Sequence, residues 1–165
     1  MRILTLDFEG STNNGIREIG AILSNGTKII DFFDLNIRNE NECKNKLQYL
    51  LSNDIDLIIS HNIQTEKNLL KKYLPFPTKI NRFGKFEWGP WLDTKIVYNS
   101  LYPKLKNYEL KNLKELFIKS ESILITKKYC KTQKTKQHHA LFDAICAFLL
   151  FKRIYNLIDI KNFTQ

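Results

Sequence analysis

With 165 residues, 43% of them hydrophobic and 26% charged, the chain suits one domain with a buried sheet and is too apolar to stay disordered. Its formal net charge of +9 favours an anionic partner such as nucleic acid, although a Lys/Asn/Ile-rich usage would raise the lysine count without any functional cause. Cys43, Cys130 and Cys146 are odd in number and form no CxxC pair, which excludes a disulfide framework or zinc cluster and reads as free thiols in a reducing compartment. No apolar run is long enough to span a bilayer, so the expectation is a cytoplasmic protein with no membrane contact, a single domain over residues 1–165.

In chain order, Arg2 to Phe8, Gly15 to Leu23 and Thr27 to Leu35 read as a three-stranded meander. Asn25-Gly26 predicts a tight hairpin, because both residues tolerate positive φ. A helix is predicted over 40–51, a buried strand over 55–60, and a second helix over 65–74 that stops before Pro75. Residues 76–90 carry Pro, Gly and isolated aromatics without a period and read as an irregular loop with room for a short strand. Helical spacing returns at 94–101 and 110–117. Lys127 to Lys136 reads as a basic loop, and a final helix starts near His139 and runs to about Tyr155. Strands first, then strand and helix in alternation, describe an α/β domain with a mixed sheet covered by helices.

Asp7 and Glu9 lie two apart on the first strand, so both side chains leave one face while Phe8 points to the other. Two converging carboxylates suit Mg²⁺ or Mn²⁺; a solvated strand end is the plainer reading of an isolated DxE. His138-His139-Ala140-Leu141-Phe142-Asp143 adds an acid inside the last helix and two imidazoles at its start. An imidazole there can take a proton from water, or simply cap the helix.

Leu6-Asp7-Phe8-Glu9-Gly10, Ser60-His61-Asn62 with Glu66, and the segment from His138 to Asp143 resemble, in order, the three motifs of the DEDDh exonucleases, a group that includes the proofreading subunit of bacterial replicative polymerase, ribonuclease T and oligoribonuclease. Glu18-Ile19-Gly20-Ala21, Asp93-Thr94 and Tyr108 to Leu113 agree with it. The resemblance implies a ribonuclease H-like fold, a central mixed five-stranded sheet flanked by helices. It also implies a two-metal 3′→5′ exonuclease that uses two Mg²⁺ or Mn²⁺ ions and releases nucleoside 5′-monophosphates, with Asp7, Glu9, Glu66 and Asp143 as metal ligands and His138 as general base. Phe8, Gly10 and Asn62 match positions that face the terminal nucleotide.

The sequence departs from the family at two places: Glu66 stands where Asp is usual, and Thr65 where an aromatic is usual. Glu66 falls in the first turn of a helix, where the dipole favours a carboxylate, so it reads equally as a metal ligand or as a helix-stabilising acid. The two histidines admit different assignments. Within a helix His139 would share a face with Asp143, whereas the family uses the histidine five before the acid, His138. Lys128, Lys131 and Lys134 are expected to contact phosphates at the rim of the site. Trp88 and Trp91 are assigned to packing ahead of base stacking. The expected partner is single-stranded DNA or a 3′ overhang, with RNA second, beside a polymerase or a CRISPR integrase. The alternative is a silent nucleic-acid-binding module with the same fold.

Overall fold

The computed structural model describes residues 1–52, 54–74, 90–136 and 138–164, together with the backbone of residues 79–80 and 86–87. Strands β1 (Arg2–Ser11), β2 (Gly15–Asn25) and β3 (Lys28–Asn36) form the expected antiparallel meander. The hairpin differs in one detail. Asn25 pairs with Lys28, so the turn residues are Gly26 and Thr27, and of the dipeptide only Gly26 takes a positive φ, +55°. Asn25 stays in the strand, and its side-chain oxygen accepts from the N-terminal ammonium.

Helix α1 (Glu40–Leu51) is capped by Asn39, whose side chain accepts from the amide of Glu42, and it buries Cys43, Leu47 and Leu50. Strand β4 (Leu57–Ser60) runs parallel to β1. Helix α2 (Ile63–Tyr73) follows it directly, and so begins two residues earlier than predicted. Within the segment expected to be irregular, β5 (Lys79–Ile80) and β6 (Phe86–Glu87) pair as a small antiparallel ribbon; most of that segment, Trp88 included, lies outside the described residues. Strand β7 (Trp91–Asp93) then joins β4 in parallel and completes a five-stranded sheet of order β3-β2-β1-β4-β7. Its three residues are too few to show a period.

Helix α3 (Thr94–Leu101) is as predicted. The next helix is longer than its apolar spacing suggested: α4 (Leu110–Leu113) passes through a π turn (Lys114–Ile118) into α5 (Lys119–Tyr129). The π turn shifts the helical phase, which hides the continuation from a search for one period. Lys127 and Lys128 are therefore helical, and the basic loop shrinks to the residues after Tyr129, with a 3₁₀ turn at Thr132–Lys134. Helix α6 (Ala140–Ile154) closes the domain; apart from Lys152 and Arg153 it is buried throughout.

The sheet has two covered faces. Ile3, Ile22 and Ile59 pack with Val97, Phe148 and Phe151 on the α3–α6 side, and Leu4, Leu6 and Ile19 pack with Leu47, Leu69 and Leu70 on the α1–α2 side. The three cysteines are buried and unpaired. Among the described residues no helix is long and apolar enough to cross a membrane.

Candidate metal-binding active site

The site grows from two rows across the sheet. In register, Asp7 on β1 faces Gly20 on β2, which faces Asp34 on β3; two pairs further on, Glu9 faces Glu18, which faces Asn36. Paired residues project from the same face, here the face covered by α6. Gly20 is what admits the helix. A Cβ at that position would strike the Ala140 carbonyl and the Leu141 nitrogen, so the first turn of α6 rests on the glycine backbone between Asp7 and Asp34. Asp143 lies in that first turn and is carried onto the carboxylates of β1.

The result is a tight acidic cluster. One ligand atom each from Glu9, His138 and Asp143 lies within 4.8 Å of the others. Asp7 is half-buried; burial, and then the charges of Asp143, Glu66 and Glu9, push its pKa well above the usual carboxylate range. Asp143 is pushed up to about 6, mainly by burial, against the stabilising hydrogen bond from the His138 amide. Arg17 on β2 has its Nη2 3.9 Å from Glu9 Oε2, a cation that no motif pointed to.

Glu66 reaches the cluster from α2. Strand β1 outruns β4, whose pairing with it covers only Ile3 to Thr5, so the Phe8 amide beyond that point hydrogen-bonds the Glu66 carboxyl instead. Glu66 is 3% exposed, and its pKa is pushed up to about 8, chiefly by burial and with added repulsion from Asp93 and Glu9. Glu66 lies in the first turn of α2 and accepts from its own backbone amide, as a helix-stabilising acid would, and it is also buried. Thr65, in place of the family aromatic, is exposed, and its hydroxyl accepts from the Asn62 side chain.

The loop leading into α2 is held by a residue that the sequence reading used only as a minor agreement. The Asp93 carboxylate accepts from the amides of Asn62 (2.9 Å), Ile63 (3.0 Å) and Lys95 (2.8 Å). It caps two helix starts at once and holds Asn62 in a left-handed conformation, φ +68°. The legible signal was an acid immediately before a helix, the N-cap pattern. His61 is buried between the Thr94 hydroxyl and the Tyr108 carbonyl, and desolvation lowers its pKa, so it serves as a neutral strut.

The two histidines separate cleanly. His139 is the residue before α6, in extended conformation, with its Nδ1 3.5 Å from Glu18 Oε2. His138 is exposed, has φ +66°, and donates its amide to Asp143 Oδ2 at 3.0 Å. The helix thus starts one residue too late to carry His139 alongside Asp143, and it is the His138 ring that joins Glu9 and Asp143.

The remaining expected residues scatter. Asn62 and Gly10 are exposed. Gly10 also has no room for a side chain, since a Cβ would meet the Gly15 carbonyl. The Phe8 side chain is buried in the α1–α2 core, and Trp91 is fully buried, in keeping with its assignment to packing. Lys128 lies in the last turn of α5 with its ammonium 5.0 Å from the Tyr129 ring centre, and Lys131 is exposed. Lys134 is not a free cation: its ammonium is held by Asp34 and Asn36, both at 2.9 Å, and lies 3.3 Å from Glu18.

Glu66 Oε2 and Asp143 Oδ1 are buried and have no hydrogen-bond partner. Such oxygens are costly unless something fills their lone pairs, and a set of carboxylate oxygens with one imidazole has the donor chemistry for a hard divalent cation such as Mg²⁺ or Mn²⁺. The donor set therefore fits the ions that the resemblance implies.

Solved structures share this architecture. Exonuclease X in complex with 5′ overhanging duplex DNA superposes with a TM-score of 0.61 over 98% of this chain and 96% of its own, at 14% identity. Escherichia coli exonuclease I in complex with a dT13 oligonucleotide gives 0.63 over 93% of this chain, at 13% identity, and this chain spans 40% of its length. No family model matches the sequence, and no curated protein matches it. At such identity the likeness defines the class of fold: an α/β domain of the ribonuclease H-like kind.

Proposed function

We propose that the protein is a metal-dependent 3′→5′ exonuclease acting on single-stranded 3′ ends, with DNA ahead of RNA. The observation that carries the reading is the cluster itself: Glu9, His138 and Asp143 meet within 4.8 Å, beside buried carboxylate oxygens of Glu66 and Asp143 that lack partners. Asp7, Glu9, Glu66 and Asp143 would hold two Mg²⁺ or Mn²⁺ ions. Bound divalent ions supply positive charge for an anionic phosphodiester and ease the ionisation of an attacking water. The exposed His138 ring, tethered through its own amide to Asp143, takes the proton of that water. Asn62 and Gly10 face the terminal nucleotide, while Lys128 and Lys131 contribute phosphate contacts that weaken with salt. Neighbours of the same fold were solved with a dT13 oligonucleotide and with 5′ overhanging duplex DNA, which supports a DNA strand as substrate.

A second reading, a silent nucleic-acid-binding module, draws on Glu66, whose pKa of about 8 without metal leaves it largely protonated at neutral pH. One assay separates them. Strands labelled at the 5′ end or at the 3′ end are incubated with Mn²⁺ and the products sized with time. The exonuclease releases labelled mononucleotide first from the 3′-labelled strand, and Asp7→Ala or Asp143→Ala abolishes it. Binding without cleavage supports the silent module, and release beginning at the 5′ end overturns the polarity.

A further inference from the structure

Resting on the exonuclease reading, we propose that Lys134 is a positioning residue: it clamps the segment carrying His138 onto strands β2 and β3 of the sheet, and it does not contact substrate phosphates.

Among the described residues of the segment from Cys130 to Ala140, the buried ones stand at its two ends. Lys131, Thr132, Gln133, Lys136 and His138 are exposed, and Thr135 is half-buried. Apolar packing therefore cannot hold it. Lys134 is the exception in the middle, with a side chain 12% exposed. Its ammonium is hydrogen-bonded to Asp34 Oδ1 on β3 and to Asn36 Oδ1 on the same strand, and it stands at ion-pair distance from Glu18 on β2. Two of the three donors of the ammonium are thus taken by hydrogen bonds, and its charge is matched by Glu18 as well as Asp34. Burial works against the charge, but the hydrogen bond to Asp34 and the charges of Asp34 and Glu18 outweigh it and hold the pKa above the ordinary lysine value. A group so committed has little left to offer a phosphate.

The place of the clamp gives it a consequence for the chemistry. Glu18 and Asn36 belong to the same row across the sheet as Glu9, and Asp34 to the same row as Asp7. Lys134 thus ties the segment to β2, which runs beside the candidate metal ligands of β1, and to β3 next to it, and Glu18 also faces the ring of His139. Between these two attachments sits His138, in a left-handed backbone conformation. A non-glycine residue keeps that conformation only where its surroundings over-determine it. The hydrogen bond from its amide to Asp143 supplies one constraint, and the Lys134 and His139 contacts supply the others.

The test compares wild type with Lys134→Met, Lys134→Arg and Asp34→Asn by kinetics in Mn²⁺ on a single strand, by the salt dependence of KM, and by hydrogen exchange at the His138 amide. In Lys134→Met, kcat is expected to fall roughly tenfold, less than the 10²–10⁴ of losing a general base outright, while KM and its salt dependence stay unchanged. His138 amide exchange should accelerate as the segment opens locally. Lys134→Arg should recover part of kcat. Asp34→Asn, which keeps the lysine, should move kcat and exchange in the same direction by less, and it decides the matter if Lys134→Met does not fold. A raised KM with a flatter salt dependence and unchanged kcat would make Lys134 a phosphate contact and overturn the clamp, as would unaltered His138 exchange. Should wild type show no cleavage at all, the exonuclease reading falls, and the exchange data still decide whether Lys134 holds the segment.

Discussion

Glu66→Gln is expected to stabilise the metal-free protein at pH 8 and to leave it unstabilised near pH 4.5. The Glu66 carboxyl ordinarily titrates at 4.5 and is pushed to about 8 in the fold. Between those values the folded chain binds a proton that the unfolded chain has lost, so stability falls as pH rises through this window. At roughly 1.4 kcal/mol per pH unit, the loss by pH 8 is at most about 5 kcal/mol. Asp143, pushed from 3.8 to about 6, adds a loss of the same sign that is complete near pH 6. Glutamine removes the Glu66 part, because it carries no charge to bury beside Glu9 and Asp93. It also weakens the bond from the Phe8 amide, which returns about 1–2 kcal/mol. A net gain of about 3 kcal/mol would raise the melting temperature of a chain this long by about 6–12 °C. Thermal melts in EDTA at pH 4.5 and pH 8 measure it. Equal melting differences at the two pH values, or a less stable variant at pH 8, would refute the argument that Glu66 is a strained buried acid. Adding Mn²⁺ at pH 8 should raise the wild-type melting temperature more than that of Glu66→Gln, since an ion that binds only the folded state stabilises it by mass action.

Three further outcomes are expected. His138→Ala should slow cleavage by at least about 10²-fold, the low end for losing a general base, with His139→Ala far milder; the reverse ranking, read from single-turnover rates, would withdraw His138 as the base. Gly20→Ala should cost about 1–3 kcal/mol in chemical denaturation through overpacking against Ala140 and should lower Mn²⁺ affinity by displacing Asp143, so a neutral result would contradict the close approach of α6 to β2. Lys128→Ala with Lys131→Ala should weaken single-strand binding and flatten its salt dependence as fewer counterions are released, and an unchanged salt slope in binding titrations would remove both from the interface.

Local signals carried much of this protein. The alternation of β1 put Asp7 and Glu9 on one face, the apolar spacing of α1, α3 and α6 marked those helices nearly to the residue, and the order of the motifs marked Glu9, His138 and Asp143, whose ligand atoms the fold brings within 4.8 Å of one another. Where the sequence left choices open, the missing information was not local. Whether the site histidine is His138 or His139 depends on where α6 begins, and that is set by Ala140 resting on Gly20 and by the His138 amide reaching Asp143. Glu66 is a strained buried acid because the fold desolvates it and brings Asp93 and Glu9 near, with the Phe8 amide easing that strain, and β7 is a strand only because β4 offers it an edge. Lys134 shows the limit most clearly. In the sequence it is one lysine among several in a basic stretch, and only a sheet that lines up Glu18, Asp34 and Asn36 beneath it separates a clamped cation from a free one, because a lysine's role is set by the acceptors within about 3 Å of its ammonium, and those come from strands about a hundred residues away.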